Sequence, residues 1–161
     1  MSGRSSNQIS EDSGRVGKDS GQVGGIEVLS FGFLIFVSVT LIIVNAWGVI
    51  DAKLAVTSAA REAVRAYVET NGENAANIAA IQQALETLDS YGRGGHRATV
   101  NSPVVDGLYR RCGRVTVTVS YDLPTVAVPF IGGFGSLQPV TSTFTEVIDP
   151  FRSGLDGIAQ C

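Results

Sequence analysis

The chain has 161 residues, enough for about one domain plus an anchor, and a net charge of −3. No run or face of Lys and Arg stands out, so nucleic acid is a poor partner. A mean hydropathy of +0.21 is high for a water-soluble chain, and one segment supplies most of it. There is no nucleophile elbow, phosphate loop or paired His/Cys arrangement, so neither an enzyme nor a small-molecule substrate or cofactor is expected.

Residues 1–25, MSGRSSNQISEDSGRVGKDSGQVGG, are polar and rich in Gly and Ser. Arg4, Arg15 and Lys18 balance Glu11, Asp12 and Asp19. Such a segment has no apolar face to bury, so a disordered leader is expected. The composition then changes abruptly. Val28 to Val44 reads VLSFGFLIFVSVTLIIV without a charge, and the apolar stretch extends over residues 26–50 with only Glu27 charged. That length crosses roughly 30 Å of hydrocarbon with some tilt. A buried core helix rarely runs so far without a polar face, and the run is long for a cleaved signal. A single-pass anchor is the reading. Basic residues flank both ends, so the charge count leaves orientation open. The foldable sequence and both cysteines lie in residues 51–161, which favours a cytoplasmic N-terminus and an extracytoplasmic domain.

From Asp51 the run DAKLAVTSAAREAVRAYVET contains no Gly or Pro and continues as helix. Ala52, Ala55, Ala59, Ala63 and Ala66 fall on one seam, which lets another element approach closely. Asn71-Gly72 is the expected stop. A second helix is expected from Asn74, its candidate N-cap, to Leu88, with Ile78, Ile81, Leu85 and Leu88 as its apolar stripe. After the glycine-rich loop DSYGRGGH the period becomes two. Val115, Val117, Val119, Tyr121 and Leu123 alternate with Thr116, Thr118, Ser120 and Asp122, a half-buried strand. Gln138–Ile148 is a second strand, with Thr141, Thr143 and Thr145 on one side and Phe144 and Ile148 on the other. Residues 97–105 form a weaker edge strand interrupted by Pro103. The fold class expected is α+β: a long transmembrane helix continuing into a small domain with a second helix and a three-stranded antiparallel sheet.

Taken together, the polar leader, the glutamate at the mouth of the apolar helix and the directly following AREAVRAYV resemble the TadE-like family. These are pilin-like proteins of the tight-adherence branch of type IV pilus systems. The matching core is GGIEVLSFGFLIFVSVTLIIVNAWGVIDAKLAVTSAAREAVRAYVE, and VTVTVSYDLPTVAVPFIGGFG with FTEVIDPFRSGL resembles the C-terminal part of actinobacterial members. The resemblance implies a pilin-like fold and a minor pilin or pseudopilin that helps assemble or prime a fibre. Its implied partners are membrane lipid, other pilin-like subunits and the assembly machinery. It also implies that Glu27 could pair with a neighbouring subunit's N-terminal amine; the plainer alternative is a carboxylate among headgroups. Prepilin peptidases of these systems cut after a glycine and leave the glutamate fifth in the mature chain. Counting back from Glu27, that cut falls between Gln22 and Val23, where no glycine stands, so an intact leader is expected. The competing reading is an anchored extracytoplasmic binding module unrelated to fibres.

Asn45, polar inside the apolar run, is expected to hydrogen-bond a partner helix or to meet water. Trp47 is an expected interfacial anchor. His96, with no second His or Cys nearby, reads as a solvated loop histidine and not a metal ligand. The connection at residues 124–136, PTVAVPFIGGFGS, is apolar and uncharged. It either contacts a partner or the membrane through residues such as Phe130 and Ile131, or tucks Val126, Val128 and Phe130 under the sheet. Cys112 begins one strand, and the next returns antiparallel beside it, so the tail can bring Cys161 to Cys112 in a disulfide. Closing a loop of roughly 50 residues would stabilise by about 4 kcal/mol. The alternative is a free terminal thiol that links subunits or accepts a lipid.

Overall fold

A single helix, α1, runs over Val23–Glu69, and α2 follows over Glu73–Ser90. Four strands complete the order: β1 Ala98–Val100, β2 Val104–Asp106, β3 Arg114–Pro124 and β4 Leu137–Val147. This is a computed structural model, and it describes residues 23–128, 135–157 and 160–161, with side chains from Glu27 onward. The expected disordered leader and the candidate contact residues Phe130 and Ile131 lie outside the described residues. The chain divides into two units, Met1–Val37 and Ser38–Cys161.

In the first unit the described part is the start of α1. Val28, Leu29, Phe31, Phe33, Leu34, Ile35 and Phe36 are all exposed there. Taken from Glu27 onward, the helix is long and apolar enough to cross a membrane, and none of its most apolar window is buried in the protein. A core helix of a water-soluble domain would bury such a run.

In the second unit the remainder of α1 becomes a core element. Ala52, Ala55, Val56, Ala59, Ala60, Ala63, Val64 and Tyr67 are fully buried. Ala66, expected on the same seam, is half-buried at its edge. The other side carries water-facing charge, including the Arg65–Glu69 pair at 2.9 Å. Helix α1 ends at Glu69; Thr70 bonds back to Ala66 through both its amide and its hydroxyl. Gly72, at φ +88°, then takes the left-handed turn that a side chain would resist. The α2 N-cap is this glycine rather than Asn74: its carbonyl accepts the Ala76 amide at 2.9 Å, and no side chain caps the helix.

Helix α2 corrects one expectation. Its buried face is Ala76, Ala80, Ala84 and Leu88. Ile78 and Leu85, expected to face the core, are exposed, and Ile81 is half-buried. An alanine stripe carries little hydropathy per residue, so the bulkier Ile/Leu stripe dominates a sequence reading. Small side chains nevertheless allow the closest approach, and the core is built from alanines on both helices.

The sheet is antiparallel around β3. β4 pairs with all of β3 from Arg114↔Val147 to Pro124↔Leu137. On the other edge β1 pairs Ala98↔Tyr121, and β2 pairs Val104↔Thr116. The sheet thus has four strands rather than three. The difference is the edge strand, which breaks around Pro103; proline has no amide to give the ladder. Asn101 still donates to Thr118 O between the two pieces.

Alternation puts Val115, Val117, Val119, Tyr121 and Leu123 into the core with Val140 and Ile148. Thr116–Thr145, Thr118–Thr143 and Ser120–Thr141 meet as hydroxyl pairs at 2.9, 2.9 and 3.0 Å on the outer face. Cross-strand pairs of this kind each contribute roughly 0.2–1 kcal/mol. Between α1 and β4 the contacts are polar at the rim. Lys53 donates to Thr141 O, Thr57 to Ser142 Oγ, and Arg61 lies 5.1 Å from the Phe144 ring centroid.

Tyr67 sits edge-to-face on Tyr109, with centroids 5.8 Å apart. The Tyr109 hydroxyl donates to Thr70 O, whereas the Tyr67 hydroxyl is buried without a partner. Burial pushes the Tyr67 pKa up to about 12, with the Glu73 carboxylate adding to the effect.

Candidate membrane interface

Asn45 is 5 % exposed within a segment whose neighbours are nearly all open. Its Oδ1 accepts the Val126 amide at 2.8 Å, and its Nδ2 donates to Val126 O at 3.0 Å and to Leu41 O at 2.8 Å. One side-chain amide thereby satisfies both backbone polar groups of Val126. The sequence suggested a partner helix or water; the partner is the β3–β4 connection of the same chain. Higher on the same face, a Cβ built on Gly48 would touch Leu123 Cδ2 at 3.8 Å. The end of β3 and the following residues therefore run along the face marked by Leu41, Asn45 and Gly48.

The connection is held at its base as well. Thr125 Oγ1 donates to Ser136 O at 2.8 Å and accepts the Gly135 amide at 3.0 Å. Of the residues that would tuck under the sheet, the structure describes Val126 and Val128. Val128 is buried, while Val126 is 48 % exposed. Trp47 is 73 % exposed on α1.

Charge begins abruptly beyond this level. Asp51 pairs with Arg93, whose guanidinium also lies 5.2 Å from the Tyr121 ring centroid. Lys53 follows two residues later on the helix, and Asp122 precedes the connection on β3. Between Asp122 and Glu146, and between Glu27 and Asp51, the sequence has no charged side chain.

The opposite end of the sheet has a different chemistry. Cys112 and Cys161 form a disulfide, with Cα atoms 5.5 Å apart across a separation of 49 residues. The tail folds back as the strand order required. Arg111 N donates to Asp156 O, Arg111 Nε to Arg152 O, and Arg152 Nη2 to Asn71 Oδ1. Cys112 itself has φ +65°, the only non-glycine residue in the left-handed region among those described. Its amide donates to Ile148 O at 3.0 Å, which holds the bend before β3. An open cleft of about 610 Å³ lies here, lined by Asp106, Arg110, Arg111 and Arg114 among others.

Glu27 is exposed at the start of α1, and His96 is exposed before β1. No group of three His, Cys, Asp or Glu side chains gathers among the described residues. Sequence reasoning missed the Asn45–Val126 tie; its available signal was an amide side chain one to two turns inside an apolar run. Comparisons with protein-family profiles, with curated proteins and with solved structures each return no match.

Proposed function

We propose that this protein is a minor pilin or pseudopilin-like membrane component that helps assemble or initiate a Tad-type pilus. The observation that carries the reading is the double role of α1. Its first part is exposed and apolar, and its continuation is the alanine-rich core helix beneath an antiparallel sheet. A helix of this kind carries both an apolar anchor segment and the core of a folded head, which suits a subunit that must stand in a membrane before meeting a fibre. The resemblance of the anchor and AREAVRAYV to the TadE-like family supplies the name of the system. In this reading the N-terminus is cytoplasmic and the sheet domain extracytoplasmic, where thiols oxidise; the Cys112–Cys161 bridge suits that side.

Mass spectrometry of sheared surface fibres and of membranes, recording the N-terminus in each, tests the proposal. The expected result is recovery from the membrane with an intact leader, together with loss of surface fibres on deletion of the gene. Normal fibres in the deletion strain would contradict it. The second reading, an anchored binding module, has the arginine-lined cleft beside Cys112 in its favour. An encoded secretion ATPase and inner-membrane platform protein nearby would separate the two.

A further inference from the structure

We propose that the described flanks of the β3–β4 connection, residues 125–128 and 135–137, are a second membrane contact, seated in the headgroup and upper acyl region of the leaflet from which α1 emerges. The proposal rests on the reading of α1 as a bilayer anchor and adds a depth to the folded domain.

Depth is the first argument. Val126 is bonded to Asn45, which lies six residues before Asp51. At 1.5 Å per residue, Asn45 stands about 9 Å along the axis inside the first charge of the helix. If the charge-free part of α1 is in hydrocarbon, a segment tied to Asn45 cannot be in bulk water.

Charge is the second argument. The stretch from Leu123 to Thr145 has no ionisable side chain, and its described part presents exposed Val126 and Leu137. Asp122, where that stretch begins on β3, and Asp51, where the uncharged helix ends, meet at one boundary through Arg93 and Tyr121, whereas on β4 the uncharged residues run on to Thr145 beside Thr116. Along α1 and β3 the change from charged to uncharged therefore falls at one level, with Trp47 just inside it. A water surface on one side and lipid on the other would divide the molecule at this place.

Backbone satisfaction is the third argument. Non-helical backbone at membrane depth needs internal partners, because lipid offers none. Val126 has both its polar groups paired to one buried amide, and Thr125, Gly135 and Ser136 pair with one another. The chemistry of the occupant is therefore that of phospholipid: acyl carbon against Val126 and Leu137, and headgroups at the level of Lys53 and Arg93.

Tryptophan quenching in lipid tests this directly. The full chain is reconstituted at low protein-to-lipid ratio in phosphatidylcholine/phosphatidylglycerol vesicles carrying bromine near the top of the acyl chains. Trp47, the sole tryptophan, reports on the anchor. In a Trp47→Phe background, Val126→Trp and Leu137→Trp report on the connection, and Ile78→Trp on exposed α2 is the water control. Resistance of the disulfide to mild reductant checks that each variant is folded. The expected result is loss of most emission from Trp47, Val126→Trp and Leu137→Trp, with Ile78→Trp unaffected. Quenching of Trp47 while both connection probes behave like Ile78→Trp overturns the proposal and leaves the anchor intact. Crosslinking of an unquenched connection to a second copy overturns it in favour of a protein occupant. An unquenched Trp47 removes the anchor reading itself.

Discussion

The β3–β4 pair is tied down at both ends, by opposite means. At the end where β3 begins, a disulfide, a left-handed cysteine and several arginine hydrogen bonds hold a folded-back tail. At the end where β3 finishes, one asparagine holds an uncharged connection through its backbone. Charged and polar side chains abound at the first end, and water competes for every hydrogen bond there, so each is worth little net. A covalent closure is then an effective constraint on a tail with glycines at Gly154 and Gly157. At the second end competition from water is weaker in the proposed setting, and two hydrogen bonds from a buried amide suffice. The comparison teaches that one antiparallel pair can be fixed covalently at one end and by backbone capture at the other.

Breaking the covalent end has the largest expected effect. Cys161→Ser should lower stability by about 4 kcal/mol, from the chain-entropy cost of a loop of this length. Denaturation of the full chain in detergent micelles, with thiol counting to confirm one free cysteine, measures it. Cys112→Gly should be less damaging than Cys112→Ser by about 1 kcal/mol, because glycine accepts the left-handed backbone that serine resists.

The Asn45 end comes next. Asn45→Ala leaves the Val126 amide and carbonyl unpaired, at an expected cost of about 3 kcal/mol for two buried groups. Asn45→Asp sharpens the point. An aspartate still accepts from the amide but cannot donate to the carbonyl when ionised, and it brings charge beside the apolar run. Its deficit should therefore shrink as pH is lowered and the carboxyl becomes neutral. A pH-independent deficit would show that the amide is not acting through Val126.

On the outer face, Thr118→Val keeps the β-branch and removes the hydroxyl that meets Thr143. The expected loss is at most about 1 kcal/mol, read by the same denaturation. Smaller still at neutral pH is Tyr67→Phe, which removes a buried hydroxyl without a partner and should be neutral or slightly stabilising. Its consequence appears in alkali. The folded pKa of about 12 lies above the ordinary value of 10.0, so folding favours the protonated phenol. That contribution is whole below the ordinary tyrosine pKa and is lost as pH rises through the folded value. The stability of the native chain should thus fall between those limits more steeply than that of Tyr67→Phe.

Much of this architecture was legible because its signals are periodic. The period-two run from Val115 to Leu123 set β3 and its buried face, and the Thr141/Thr143/Thr145 alternation set β4. Strand order then brought Cys161 back to Cys112. The alanine seam of α1 was visible because no larger apolar stripe competed with it. On α2 a competing stripe was present, and Ile78 and Leu85 pointed away from the core that Ala76, Ala80 and Ala84 occupy. Propensity and hydropathy cannot tell which face meets a neighbour whose own surface is alanine. The partner of Asn45 was illegible for another reason. Val126 is 81 residues away, and the bond is to its backbone, which leaves no trace in side-chain identity.

The central claim is a single-pass anchor with the sheet domain on the outer side. Membrane-impermeant maleimide labelling of whole cells tests it most directly, with single added cysteines at Ser10 and at exposed His96. His96 is the better site in its loop, since a Cβ at Gly94 would come 2.5 Å from Asp89 Oδ1. The account predicts labelling of His96→Cys in intact cells and of Ser10→Cys only after permeabilisation. The reverse pattern, or equal labelling of both in intact cells, would contradict it.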